Sequence, residues 1–303
     1  MIRDAGHDAP VGWWGVVNPG AGNGKDTSAR VKAAIDRAGT EAELRTSNSE
    51  AHIGELIAEG TGNGYRRFLA VGGDGTVNLV VNALLQTEWE DPPTLGVLPS
   101  GSGGDLIRTF GISQHLEEAV SHLTGSATTT LDAVHLRGPW GERYFVNSAG
   151  SGLPGGVVEE VEKMPASWGA ARYQLGIWPA LVKLPHARVE IECDDQRFEG
   201  KALMVIMSNA RFLAGGMKMA PHADPADGKV NLQVFQGPKR LALTLKPMVQ
   251  RGKHLDHPKV TLMTGAEFSI RTEPDWPIEA DGEFLGRGSI DGTVVPGALE
   301  LKV

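Results

Sequence analysis

Apolar residues follow two rhythms along the chain, and the change between them divides it. From Trp13 to about Leu123, short apolar runs predict strands at Trp13 to Val17, Ala42 to Thr46, Arg66 to Val71 and Thr94 to Leu98. Between them, apolar positions recur every three to four residues over Ser28 to Ala38, Ser49 to Glu59, Val77 to Leu85 and Leu116 to Leu123, which predicts helices. Strict alternation of strand and helix needs crossover connections. The first domain is therefore read as α/β with a mostly parallel sheet, its ligands gathering at the strands' carboxyl ends.

After Ser126 the strands shorten and the helices thin out. Strands are expected at Leu131 to Leu136, Tyr144 to Ser148, Arg188 to Cys193, Ala202 to Ser208, Lys229 to Phe235, Val260 to Leu262, Phe268 to Arg271 and Pro277 to Ala280. Helical patterns interrupt them at Gly152 to Lys163, Ala170 to Lys183 and Pro238 to Val249. This pattern predicts a β-rich C-terminal domain, an antiparallel sandwich. The expected domains are 1–128 and 129–303, with the last strands free to pack back on the first domain.

Composition narrows the partners. A net charge of −8 without a long Lys/Arg run excludes a general nucleic-acid binder, which needs a clustered basic surface. The single cysteine, Cys193, rules out an intramolecular disulfide framework and suits a reducing compartment. Residues 1–10 carry Arg3, Asp4 and Asp8 and no apolar core, so no signal peptide is expected. The weakly polar stretch Leu175 to Leu184 contains Pro179 and Lys183 and is too short to span a bilayer. The expected location is the cytoplasm, with peripheral contact at the inner membrane face left open.

Three glycine-rich segments follow predicted strands. The most specific is Gly72-Gly73-Asp74-Gly75-Thr76, between the run Phe68 to Val71 and the pattern beginning at Val77. A strand emptying into a glycine turn and a helix start with one carboxylate can set backbone N–H groups and a metal-binding Asp around a polyphosphate. Asn18-Pro19-Gly20-Ala21-Gly22-Asn23-Gly24-Lys25 fits neither the Walker A spacing nor the dinucleotide fingerprint, and by itself reads equally as a plain turn. Pro99-Ser100-Gly101-Ser102-Gly103-Gly104-Asp105 is weak alone.

Together these segments resemble the catalytic domain of the diacylglycerol kinase family in its soluble bacterial form, a superfamily that includes sphingosine and ceramide kinases. Asn18 to Gly22, Gly72 to Asn78 and Gly101 to Asp105 match its three loops, the last followed by Arg108-Thr109-Phe110-Gly111-Ile112. Gly215 to Pro221, Asp224 to Gly228 and Asp281-Gly282-Glu283 then come in the family's order. One departure stands out: Gly104 replaces the Asn that usually precedes the third loop's Asp, so a side-chain amide is lost there.

The resemblance implies ATP and Mg2+ as cofactors and a lipid at a membrane surface as acceptor, with a homodimer left open. It implies contacts to ATP from Thr46, Gly72, Gly73, Asp74, Gly75, Thr76, Val77, Asn78 and Ser102, with Asn18, Gly22 and Asp105 completing the loops. Glu283 would be the catalytic base, Asp74 would act with magnesium at the phosphates, and the active site would lie in the interdomain cleft. A structural magnesium is implied at the Asp227 carboxylate, with backbone oxygens of Asp224 and Lys229.

Phosphoryl transfer needs neutralised phosphate charge and a carboxylate for the acceptor's proton, which agrees with these roles. The expected function is thus an ATP-dependent lipid kinase transferring the γ-phosphate to a hydroxyl of a diacylglycerol-like lipid. A kinase of a soluble acceptor is a rival, because NAD kinases share the Gly-Asp-Gly-Thr loop. A catalytically weak lipid- or nucleotide-binding protein is another, motivated by Gly104.

Other patterns are set aside. Gly150-Ser151-Gly152-Leu153-Pro154-Gly155 fits the dinucleotide fingerprint literally but reads as a strand-to-helix turn, because Pro154 stands at a helix start in the β-rich half. His254 and His257 lack zinc spacing. Tyr173 to Val182 reads equally as a core helix or as a wall for acyl chains.

Overall fold

The structure is a computed structural model that describes residues 10–20, 27–100, 104–165, 168–169 and 171–303. Backbone proximity divides the chain into two compact units. Residues 10–100, Ile112–Thr129 and Leu299–Val303 belong to one, and residues 104–111 and Thr130–Ala298 to the other.

In the first unit, β1 (Trp13–Val17), α1 (Thr27–Arg37), β2 (Ala42–Thr46), α2 (Glu50–Gly62), β3 (Arg67–Gly72), α3 (Asp74–Leu85) and β4 (Thr94–Pro99) alternate. The strands pair in parallel in the order β2-β1-β3-β4. The central strands are apolar on both faces, with Trp13, Val16, Phe68, Leu69, Val71 and Leu98 buried, because helices cover both sides of such a sheet. α2 is capped at Ser49, whose hydroxyl accepts the His52 N–H at 3.1 Å. After α4 (Asp105–Thr109), which belongs to the second unit, the short α5 (Leu116–Ala119) continues as a 3-10 turn to Leu123.

The second unit contains β5 (Thr128–Gly138), β6 (Gly141–Phe145), β7 (Ser148–Gly152), α6 (Leu153–Glu162), α7 (Ala171–Lys183), β8 (Ala187–Cys193), β9 (Gln196–Ala202), β10 (Met204–Ser208), β11 (Val230–Phe235), α8 (Arg240–Gln250), β12 (Val260–Gly265), β13 (Glu267–Glu273), β14 (Pro277–Ala280), β15 (Glu283–Arg287) and β16 (Ile290–Lys302). One antiparallel sheet runs β12-β11-β10-β7-β14-β15. The other pairs β16, β13, β8 and β9 antiparallel, with the β5–β6 hairpin attached through β16. Both sheets feed one core that includes Phe145, Ile191, Val205, Leu232, Phe268 and Trp276. The final residues of β16 lie in the first unit, where Glu300 and Leu301 pair in parallel with Thr94 and Leu95.

The expected strand Tyr144 to Ser148 is two strands. β6 pairs with β5 and β7 with β10 and β14, so the chain changes sheets at Val146-Asn147. β9 and β15 escape the apolar pattern because each is a sheet edge, and an edge strand keeps polar residues toward water. β7 runs directly into α6 through Gly152 at φ +89°, so Gly150 to Gly155 is the strand-to-helix turn its Pro154 implies. Among the described residues, no helix is long and apolar enough to cross a membrane.

Candidate active site

In the first unit, the expected nucleotide-contacting residues meet at the carboxyl ends of the parallel strands. Asn18 follows β1, Thr46 ends β2, and Gly72 ends β3 and opens into α3. The Asn18 N–H donates to Val71 O at 3.0 Å, and the Ser100 N–H to Gly72 O at 3.1 Å, which ties the ends of β1, β3 and β4 into one rim. The Asn18 side chain joins the loops, accepting the Gly20 N–H and donating to Thr76 Oγ1, both at 3.0 Å. The Thr46 and Ser28 hydroxyls lie 3.0 Å apart.

The glycines of the second loop differ in what they are for. A Cβ at Gly72 would collide with Thr76 Oγ1, so packing alone demands glycine there. At Gly73 and Gly75 an added Cβ would meet nothing within 4 Å among the described residues, and neither has a positive φ. Neither packing nor backbone conformation requires glycine at these two, and their bare backbone leaves room for a ligand at the start of α3. Asp74 stands in the first turn of α3. The Val77 side chain belongs to the core, and Asn78 is fully buried, its Oδ1 accepting from Asn82 Nδ2 at 3.2 Å. Gly22 and Ser102 lie outside the described residues.

Asp105 opens α4 in the second unit and is buried. Its Oδ2 accepts the Gly215 N–H at 2.8 Å, within the turn Ala214-Gly215-Gly216, whose residues all take positive φ. Two motifs 110 residues apart are thereby joined. Gly104 has φ +152° beside ψ 35°, a conformation that any side chain would strain, so the backbone here favours glycine over the family's Asn.

The Asp281-Gly282-Glu283 segment is a β-hairpin turn between β14 and β15, with Asp281 at φ +46° and Gly282 at φ +86°. The Asp281 carboxylate accepts the backbone N–H groups of Val146, Asn147 and Ser148 at 3.1, 3.2 and 2.8 Å, the bend where the chain changes sheets. Glu283 is half-buried and bonded to Arg143 Nη2 of β6. Glu279 is buried in β14, and its Oε2 accepts the Gly282 N–H at 3.0 Å. Burial pushes the Glu279 carboxyl up to about 8, and the nearby Asp281 charge adds to the rise. Sequence reasoning missed Arg143 and Glu279. Arg143 lies 140 residues upstream and carries no local signal, whereas a Glu two places before the Asp-Gly-Glu turn, on an otherwise apolar strand, was a visible one.

The acidic loop at Asp224 to Lys229 is a tight turn in which the Asp227 N–H donates to Asp224 O at 3.2 Å and the Lys229 N–H to Asp227 Oδ1 at 2.9 Å. Asp132, buried in β5, anchors it by accepting the Gly228 N–H at 2.7 Å and the Gly297 N–H at 2.8 Å. Loss of hydration in the loop, then the charges of Asp224 and Asp132, raise the Asp227 carboxyl from its ordinary value, while the Lys229 N–H opposes the rise. A carboxylate and main-chain carbonyls are the oxygen donors a hard cation takes. Among the described residues, no cluster of three or more His, Cys, Asp or Glu side chains is arranged to hold a metal.

Comparison with known proteins places these features in a family. The family model of the diacylglycerol kinase catalytic domain matches residues 13–136, and that of the YegS C-terminal NAD kinase beta sandwich-like domain matches residues 147–303. A diacylglycerol kinase of Staphylococcus epidermidis is 30% identical over 225 residues, covering 74% of this chain and 69% of that one. Lipid kinase YegS of Escherichia coli K12 is 27% identical over 261 residues, 86% and 85% of the two chains. A crystal structure of a diacylglycerol kinase from Bacillus anthracis superposes with a TM-score of 0.72 at 19% identity over 96% of each chain, which shows the shared fold. The chain belongs to the diacylglycerol kinase family, with an α/β N-terminal domain and an antiparallel β-sandwich C-terminal domain.

Proposed function

From its place in the diacylglycerol kinase family, we propose that this protein is an ATP-dependent lipid kinase that phosphorylates a hydroxyl of a diacylglycerol-like lipid. The observation that carries the reading is the open glycine loop. Gly73 and Gly75 are required neither by packing nor by backbone conformation, yet they bracket a carboxylate at a helix N-terminus on the rim of a parallel sheet. Backbone N–H groups there suit phosphate oxygens, and Asn18 and Thr76 fix the loop beneath.

The residue roles follow from what each group offers. Asp74 would hold magnesium, which supplies neutralisation of phosphate charge when bound. Glu283 would accept the acceptor hydroxyl's proton. Its carboxylate is oriented by Arg143, and its backbone by the Asp281 and Glu279 bonds to the same hairpin. Asp105 would keep the third loop against Gly215. The Asp227 loop would take a second, structural magnesium through Asp227 and the carbonyls of Asp224 and Lys229, its like-charged neighbours supplying the reason a cation would be welcome.

Transfer of labelled γ-phosphate from ATP across a panel of lipids in mixed micelles, with NAD and sugar phosphates as soluble acceptors, tests the reading. A labelled lipid product with no labelled soluble acceptor is expected. Robust labelling of NAD or a sugar phosphate without a lipid product would overturn it.

A further inference from the structure

Helix α7 has two apolar faces. Ala180 and Leu181 are buried on one, packed with Leu184 into the sandwich core, and Gly176 is buried against Val157 and Val161 of α6. On the opposite face Leu175, Trp178 and Val182 follow one another at three- and four-residue spacing and are 48%, 59% and 79% exposed. A surface helix ordinarily turns polar residues outward. Large exposed apolar side chains concentrate here: Trp168 and Tyr173 join those three, Leu243 lies on α8, and only Val11 and Leu262 stand elsewhere among the described residues. The two helices are tied end to start, because Lys239 Nζ donates to Val182 O at 3.0 Å and His186 Nε2 lies 2.8 Å from Gly237 O.

Charge follows the same two segments. Residues 163–189 and 236–255 hold nine Lys and Arg residues and not one Asp or Glu, in a chain whose net charge is −8. Some of these cations serve the fold: Lys163 and Lys183 bond Glu160, and Arg188 pairs with Glu190 and Glu199. Arg172, Arg240, Lys246, Arg251 and Lys253 have no carboxylate partner among the described residues. An outward apolar stripe with a Trp, flanked by cations without a carboxylate partner among the described residues, matches the chemistry of a bilayer interface bearing anionic headgroups.

We infer that the α7–α8 surface seats this protein on an anionic lipid bilayer, with Leu175, Trp178 and Val182 entering the headgroup boundary and the cations of α8 meeting lipid phosphates. The choice of lipid as partner rests on the lipid-kinase reading. A second copy of the chain fits less well, since a two-fold contact would bring the same cations against themselves. Docking in this way would hold an otherwise acidic protein at the surface where its acceptor resides.

The test is co-sedimentation of the full chain with vesicles of phosphatidylcholine alone and of phosphatidylcholine mixed with phosphatidylglycerol, without ATP. Wild type should bind the mixed vesicles, roughly tenfold more weakly on phosphatidylcholine and more weakly in salt. Two separate double variants, Leu175→Ser with Trp178→Ser and Lys246→Glu with Arg251→Glu, should each lose about tenfold or more in vesicle affinity at unchanged melting temperature. Variants that bind like wild type would overturn the inference. So would a wild-type dimer that Trp178→Ser converts to monomer without changing vesicle binding, which assigns the stripe to a second copy. Vesicle binding as expected but no labelled lipid in the kinase panel would leave docking standing and sink the lipid-kinase reading alone.

Discussion

Asp281 and Ser148 bond each other in both directions across 133 residues: the Ser148 N–H reaches the Asp281 carboxylate at 2.8 Å, and the Asp281 N–H reaches Ser148 O at 2.8 Å. The pair fastens the Asp-Gly-Glu hairpin to the bend where the chain passes from one sheet of the sandwich to the other. Asp281→Ala removes the acceptor for three backbone N–H groups and leaves a positive φ that Ala tolerates poorly. A loss of about 2–4 kcal/mol is expected. Asp281→Asn, which keeps an acceptor oxygen and tolerates that φ, should lose less. Denaturant unfolding of both variants checks it, and near-wild-type stability of Asp281→Ala would mean that the carboxylate bonds contribute little.

Glu283→Gln should lower kcat by on the order of a hundredfold or more while leaving ATP affinity near wild type. The amide keeps the side chain's shape but accepts no proton. Single-turnover transfer beside nucleotide titration separates the two effects, and a near-normal kcat would remove Glu283 from the role of base.

Asp74→Asn should weaken magnesium-dependent turnover, because the amide preserves the helix start and loses the charge that attracts the cation. Activity titrated against magnesium is the measurement. An unchanged rate and an unchanged magnesium midpoint would reduce Asp74 to a residue of the first helical turn.

The Asp224 to Lys229 loop is tested by melting. If it holds magnesium, wild type should melt at a lower temperature in chelator, and Asp227→Ala should not respond, because an ion that binds only the folded loop stabilises only the folded state. Identical responses of the two proteins would exclude a metal at Asp227.

Glu279 makes stability depend on pH. Its folded pKa of about 8 lies above the ordinary glutamate value of 4.5, so the folded state holds the proton more tightly than the unfolded one. The sign follows: stability from this group is full below about pH 4.5 and is lost as pH rises through about 8, a change on the order of several kcal/mol. Glu279→Gln keeps an acceptor for the Gly282 N–H without ionising, and should flatten the decline between pH 5 and 9. Melting temperatures at pH 5, 7 and 9 for both proteins decide it; parallel curves would refute the assignment.

The glycine loop at Gly72 to Thr76 and the strands before it were legible in the sequence. An apolar run between turn residues has few other readings, and a parallel sheet brings the ends of β1, β2, β3 and β4 to one rim whatever the side chains elsewhere. The resemblance in motif order likewise carried the family, which the comparisons show. The edge strands β9 and β15 were not legible, because water on one side relaxes the apolar alternation that marks a strand. The break between β6 and β7 was hidden for a different reason. Tyr144 to Ser148 has the local pattern of one strand, but its two ends pair in different sheets, and the carboxylate of Asp281, 133 residues from Ser148, accepts the three successive N–H groups at the bend between them. Tertiary structure alone decided that Arg143 meets Glu283, that Asp105 meets Gly215, and that Leu175, Trp178 and Val182 face outward. Local periodicity records which residues share a face of an element; which face is buried, and which distant charge it meets, depends on the partner that packs there.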